Sequence, residues 1–191
     1  MNLEATPRPT ASITGDFVLA SGPGRSDWLS SLPGFRVAHE DGSGVRLATR
    51  GPADIAIGGD GSGWVALADL IEGNLADGDT PGGTIQRRWR GRFAQVAWDA
   101  SGMSAFSDHF GSVPLYWCQA GEHVAIASDL RLLLHAPWCD AGIDLEAVYH
   151  YLNFSYIPAP LTICRQIRKL EPGSRLRLSR SHAQSDCYFL P

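Results

Sequence analysis

The stretch from Arg90 to Leu134 constrains this chain more than any other. Gly91 to Asp99 is a run with apolar residues at 93, 94, 96, 97 and 98, and the turn Ala100-Ser101-Gly102 follows it. Met103 to Phe106 begins a second run. Asp108 to Gly111 turns, and Pro114-Leu115-Tyr116-Trp117 leads into a third. Val124 to Ser128 is a fourth, and Asp129 to Leu134 opens a helix. Short apolar runs bounded by glycine, proline and aspartate read as strands. Three turns joining four such runs predict neighbours in one antiparallel sheet.

The rest of the chain has the same texture. Phe17 to Ala20 reads as a first strand, after a polar, disordered lead over residues 1–13. Ser26 to Leu32 reads as one helical turn, capped by Ser26 and closed by Pro33-Gly34. Phe35 to Ala38 and Val45 to Ala48 read as strands around a hairpin-type turn. Ile55 to Ile57 and Trp64 to Ile71 are two more, joined by the glycine-rich Gly58 to Gly63. That segment lacks the lysine of a phosphate loop and precedes a strand, so it reads as a flexible turn. Asp144 caps the best helix, with apolar residues at 145, 148, 149 and 152. Pro158 and Pro160 impose an extended path. Ser174 to Ser179 alternates polar and apolar, a half-buried strand. Many strands and few helices give an α+β class with two packed sheets.

At 191 residues, with 44% apolar content, the chain suits one domain, 14–191. A net charge of −4 offers no footprint for nucleic acid. No apolar run approaches a membrane span, and Met1 to Thr14 lacks the apolar core of a secretory signal. Cys118, Cys139, Cys164 and Cys187 are spaced 21, 25 and 23 residues apart, with no C-x-x-C pair. They read as buried or half-buried thiols in a reduced, cytoplasmic protein. His135, His150 and His182 have no metal-ligand spacing, so no metal site is expected.

Three motifs carry a family resemblance. They are Gly91-Arg92-Phe93-Ala94 with Trp98-Asp99, Asp108 through Tyr116 with its D-x-x-G-x-x-P-L-Y pattern, and Ile126-Ala127-Ser128-Asp129 with Leu132-Leu133. Downstream, Tyr156-Ile157-Pro158-Ala159-Pro160 and Lys169-Leu170-Glu171-Pro172-Gly173 continue the series, and Tyr188 to Pro191 resembles a closing Y-W-x-x-P. In this order they resemble the N-terminal, class 2 glutamine amidotransferase half of the asparagine synthetase family over residues 90–191. The resemblance implies an N-terminal-nucleophile-hydrolase-like αββα sandwich of two mainly antiparallel sheets. The thin helical complement implies a reduced outer layer.

It also implies a chemistry that the residues do not supply. In that family an N-terminal cysteine attacks the glutamine side-chain amide and its own α-amine acts as base. Here Asn2 follows Met1, and the first cysteine is Cys118. By spacing the first strand opens at Thr14-Gly15, so Thr14 is a nucleophile only if residues 1–13 are removed; otherwise it is a turn residue. The oxyanion asparagine falls on Ala68 in the simplest register, beside Asp69, with Asn74 close by in a turn. Arg50-Gly51-Pro52-Ala53-Asp54 resembles the family's R-G-P-D, and Asp79-Thr80 is what remains of its S-D-T-E. Arg50, Asp69, Asn74 and Asp79 are therefore the substrate-binding candidates, with salt bridges or solvent-facing turns as the alternative. His109 stands where the family has arginine and is expected to pack locally. Arg87, Arg88, Arg90 and Arg92 cluster around Trp89, as a solvated edge or a partner-docking surface.

Loss of the nucleophile alone removes the covalent route, and loss of the oxyanion donor costs a further ~10²–10³ in rate. The resemblance then implies a degenerate, scaffolding glutaminase-like half, as in lasso-peptide cyclases, whose peptide amine attacks an acyl-adenylate directly. No S-G-G-x-D-S signature occurs, so no cofactor is expected in this chain. ATP and magnesium belong to a synthetase domain, in cis or on a partner chain, and a peptide is a further candidate partner. An active amidotransferase processed at Thr14 and a pure binding module are the alternatives.

Overall fold

A computed structural model describes residues 13–23, 27–42, 44–72 and 89–189. Twelve strands and two helices run through them. The strands are β1 (Asp16–Ser21), β2 (Arg36–Glu40), β3 (Arg46–Arg50), β4 (Asp54–Ile57), β5 (Gly63–Glu72) and β6 (Arg90–Asp99). Then come β7 (Gly102–Ser107), β8 (Tyr116–Ala120), β9 (His123–Ala127), β10 (Arg168–Lys169), β11 (Ser174–Ser179) and β12 (His182–Cys187). The helices are α1 (Leu130–Leu133) and α2 (Leu145–Phe154), and Asp27–Ser31 forms a 3-10 turn.

The strands make two six-stranded sheets, ordered β10-β8-β9-β1-β3-β2 and β12-β11-β7-β6-β5-β4. The strand pairings are antiparallel. Period-two alternation decides which side chains lie between the sheets. Phe17, Leu19, Leu47 and Ile126 from the first sheet meet Val65, Val96, Trp98 and Leu176 from the second in one buried cluster. The intervening residues of the first sheet, Val18, Ala48, Cys118 and Ala125, face outward under the 3-10 turn and α1. On the second sheet's outer face Phe93 and Phe106 pack with Trp89 and Tyr188. The helical covering is thus thin on both sides among the described residues, as the thin helical complement implied.

One expectation is corrected here. The four runs between Gly91 and Ser128 do not share a sheet. β6 and β7 form a hairpin in the second sheet, and β8 and β9 a hairpin in the first. The reason is the segment between them. It crosses the core, with Val113 and Leu115 buried between the sheets. Asp108 anchors the crossing: its fully buried carboxylate accepts from the backbone N–H groups of Phe93 (3.2 Å), Phe110 (2.9 Å), Ser112 (3.1 Å) and Val113 (3.3 Å). Gly111 takes φ +63°, in the left-handed region that favours glycine. The D-x-x-G-x-x-P-L pattern is therefore a sheet-to-sheet crossover rather than a hairpin turn.

Other segments match the sequence reading or extend it. α2 begins where Asp144 caps it, accepting from the N–H groups of Glu146 and Ala147. The glycine-rich turn between β4 and β5 is hydrogen-bonded: Gly58 N–H donates to the Ser62 carbonyl, and the Ser62 hydroxyl donates to Asp60 at 2.6 Å. The indole N–H of Trp98 donates to the Gly61 carbonyl at 3.0 Å. The unexpected pieces are β10 and β12. Cys118 and Cys164 are buried and Cys139 is half-buried, but Cys187 is exposed on edge strand β12, contrary to the buried reading. No described helix is long and apolar enough to cross a membrane.

Candidate functional site

A cavity of about 470 Å³ opens at the end of the sandwich where β1 begins. Ile13, Gly15 and Asp16 bring the start of β1 to it, and Ser128-Asp129 the exit of β9. Leu67 of β5 and Arg92 of β6 form the second-sheet wall. The crossover contributes Ser112, Val113 and Pro114, and β8 contributes Tyr116. Asp108 thus shapes this cavity without entering it, because it holds the crossover that forms one wall.

Gly15 is fixed by close approach. A Cβ there would stand 1.9 Å from the Pro52 carbonyl oxygen and 3.3 Å from Leu67 Cδ2. The Arg50-Gly51-Pro52 turn is packed directly on the start of β1. That contact brings Arg50 beside Asp16: Nη2 lies 2.6 Å and Nε 3.2 Å from Asp16 Oδ2. The Arg50 guanidinium also sits 4.9 Å over the Phe35 ring.

Two more acid–base pairs stand around the same opening. Asp69 of β5 is directly across from Arg92 of β6, and Arg92 Nη2 reaches Asp69 Oδ2 at 2.8 Å. Asp129 accepts from Arg131 Nη2 at 2.5 Å and Nε at 2.9 Å, and caps α1 through the Arg131 N–H. The Arg131 hydrogen bonds hold the Asp129 carboxyl below the usual carboxylate range, and Arg50 adds to the effect. The phenol of Tyr116 is pushed up by burial and then by the charge of Asp129, so it stays protonated. Ser128 Oγ accepts from the Phe17 N–H at 3.0 Å and lies 3.3 Å from Asp16 Oδ1.

The sequence candidates are therefore only partly gathered. Arg50 and Asp69 stand at the opening, each paired to a side chain of this chain. Thr14 precedes Gly15 and is exposed at its edge. Ala68 belongs to the cluster on the outer face of the second sheet, so the alternation of β5 turns it away and presents Leu67 instead. Arg92 lines the cavity, whereas Arg90 is exposed at the start of β6. Asn74, Asp79, Arg87 and Arg88 lie outside the described residues. His109 packs locally, its ring 4.0 Å from that of Phe189. Sequence reading missed Asp16, Tyr116, Ser128 and Asp129 as site residues. The signal was available, since Tyr116 and Ser128-Asp129 fall inside two of the motifs and Asp16 directly follows Gly15.

Among the described residues the lining contains no thiol and no imidazole. Its serine hydroxyls are engaged: Ser112 Oγ donates to Asp108 at 3.2 Å, and Ser128 bonds the start of β1. Its carboxylates face arginines: Asp16, which also accepts from Ser128 Oγ at 3.3 Å, is tied to Arg50, and Asp129 to Arg131. The arrangement can hold a polar, charged group by exchange with these pairs. A second cavity of about 450 Å³ lies at the opposite end, between the turns at Ser101 and Arg180, over an apolar floor of Val45, Met103 and Val124.

A family model described as "Glutamine amidotransferase domain" matches residues 76–189, well over half of the chain. Asparagine synthetase [glutamine-hydrolyzing] 1 of Bacillus subtilis (strain 168) is 34% identical over 91 residues, covering 47% of this chain and 14% of that protein. A Mycobacterium bovis protein with a provisional name of the same kind is 33% identical over 117 residues, covering 58% of this chain and 18% of its own length. The chain thus spans less than a fifth of the curated relatives it matches. A solved glutamine phosphoribosylpyrophosphate amidotransferase from B. subtilis is similar at TM-score 0.46 and 10% identity, over 93% of this chain and 43% of that one.

Proposed function

This chain belongs to the glutamine amidotransferase domain family, in the form found as the N-terminal half of asparagine synthetases, and from that premise we propose that it keeps the family's frame without the glutaminase reaction. It serves an asparagine-synthetase-like, ATP-dependent amide-forming enzyme as a scaffold, of the kind a lasso-peptide cyclase carries. The synthetase domain, in cis or on a partner chain, supplies ATP and magnesium chemistry, and the acceptor amine comes from the substrate rather than from ammonia.

One observation carries this reading. Among the described residues, the cavity at the start of β1 has no thiol in its lining, and Arg50, Arg92 and Arg131 around it are paired with the protein's own carboxylates. In this family glutamine hydrolysis uses a nucleophile at a free amine, and an arginine holds the substrate's carboxylate. Arg50, the candidate for the substrate carboxylate, is paired instead with Asp16 at 2.6 Å. Incubation with an electrophilic glutamine analogue, followed by intact mass measurement, tests the proposal. The expected result is no adduct. A single adduct at residue 14 would overturn it.

The second reading, an amidotransferase activated by removal of residues 1–13, draws on the position of Thr14 at the edge of the same cavity. Mass spectrometry of the mature N-terminus decides it. A chain beginning at Thr14 supports it, and an intact Met1 or Asn2 start removes it.

A further inference from the structure

The second cavity lies where β1 ends rather than where it begins, in the gap between the two sheets. Its floor is the rim of the shared core: Val45 and Val124 from the first sheet, Met103 and Leu178 from the second. The residues that end the strands above this floor are small, Ser21 on β1 and Gly102 on β7. The gap of about 450 Å³ falls in the ~300–1,000 Å³ range of small-molecule sites. Water over four apolar side chains makes few hydrogen bonds, so an apolar group that displaces it gains affinity.

The rim is held in place from both sheets. Gln119 of β8 reaches across from the first sheet, and its Nε2 donates to the carbonyls of Ser179 and Arg180 at the β11–β12 turn, at 3.0 and 3.1 Å. In the β6–β7 turn, Asp99 Oδ1 accepts from the Ser101 N–H at 2.7 Å and from the Ser101 hydroxyl at 2.5 Å. The two turns are also packed on each other. Gly102 sits at φ +141°, and a Cβ there would stand 2.3 Å from the Leu178 carbonyl oxygen. A rim positioned in advance reduces the ordering cost of binding.

Two opposite charges stand on that rim. Asp99 bonds to Ser101, Arg180 is exposed, and among the described residues neither has an ion-pair partner. This differs from the first cavity, where Arg92 is paired with Asp69. β6 and β11 flank β7, so the backbones that carry the two charges are about 10 Å apart. One small molecule can meet both. A simple anion would face Asp99, and a simple cation would face Arg180. A ligand with an ammonium and a carboxylate on one carbon and an apolar remainder suits rim and floor together. The Met103 thioether in the floor favours an aromatic remainder.

We propose that this cavity binds an apolar α-amino acid, with its carboxylate on Arg180, its ammonium on Asp99 and its side chain over Met103 and Leu178. The site stands whether or not the first cavity hydrolyses glutamine. Met103 reports on the floor directly, because the chain has two methionines and the other is Met1. The 191-residue chain is isotope-labelled at its methionine methyl groups and titrated with L-phenylalanine, whose ring moves a nearby methyl resonance. Met103→Leu assigns the signal. The expected result is a saturable shift of the Met103 methyl with a Kd of about 1 mM or tighter. Hydrocinnamate, which lacks the ammonium, and phenethylamine, which lacks the carboxylate, each bind about tenfold more weakly or worse. Asp99→Asn keeps the acceptor for Ser101, and Arg180→Ala trims an exposed side chain. Each weakens phenylalanine binding about tenfold and leaves the unfolding midpoint unchanged. A Met103 methyl unmoved at about 10 mM phenylalanine overturns the proposal. So does hydrocinnamate binding as tightly as phenylalanine, since the occupant is then a plain amphipathic acid. Binding that survives both rim substitutions also overturns it, because the apolar floor alone then accounts for the shift.

Discussion

At the scale of single residues, Asp108 and Gly15 set the geometry of the cavity. Asp108 satisfies three backbone donors of a crossover that has no strand partner of its own, and a fourth on Phe93 of β6. Asp108→Ala leaves those donors buried and unpaired, so it destabilises the fold by on the order of 3 kcal/mol or more, read from urea unfolding. Gly15→Ala drives a methyl group into the Pro52 carbonyl and costs about 1–3 kcal/mol, while separating the Arg50 turn from β1. Asp129 gives a pH signature. Its carboxyl is held low in the fold by Arg131, so its contribution is full above about pH 4, the unfolded value, and is lost as pH falls through the lower folded value. The stability gap between the native protein and Arg131→Ala therefore closes as the solution is acidified below about pH 4. A gap that widens on acidification would contradict this assignment.

At the scale of elements, what was legible in the sequence was local. β5, β6, β7, β9 and β11 announce themselves by apolar runs and alternation, and α2 by its period and its aspartate cap. The partner of each hairpin was not legible. Nothing in the Asp108 to Tyr116 segment reveals that it carries the chain between sheets, because the deciding fact is the burial of Val113, Leu115 and the Asp108 carboxylate together. β10 has two residues and β12 is largely exposed, so neither leaves an apolar pattern to read. The thiols give an element-scale prediction. Cys118 on β8 is pushed up by its hydrogen bond to Cys139 and by burial, Cys164 is pushed up by burial, and Cys139 is lowered by its bond from Cys118. Alkylation of the native protein near neutral pH therefore modifies the exposed Cys187 first and Cys139 next, with Cys118 and Cys164 reacting only on unfolding. Early modification of Cys118 by peptide mapping would show that the outer face of the first sheet is open.

At the scale of the whole molecule, two sheets bring together a site that no single stretch of sequence contains. The start of β1, the Arg50 turn, the exit of β9 and the crossover meet at one end only because the sheets stack over a shared core. The motifs named the frame, since they encode the crossover and the strand ends around the cavity. They were silent on Asp16 engaging Arg50 and on Ala68 facing away, because both depend on register and side-chain direction. Asp16 bears on function as well as on stability. If it takes the place of a substrate carboxylate, Asp16→Ala frees Arg50 and lets the cavity take up a small carboxylate, measurable by calorimetry with glutamate as probe, without creating hydrolysis. The most direct test of the whole account is glutamate release from glutamine by the purified protein, with Thr14→Ala alongside. The account predicts a rate indistinguishable from buffer for both; steady glutamate release by the native protein that Thr14→Ala abolishes would contradict it.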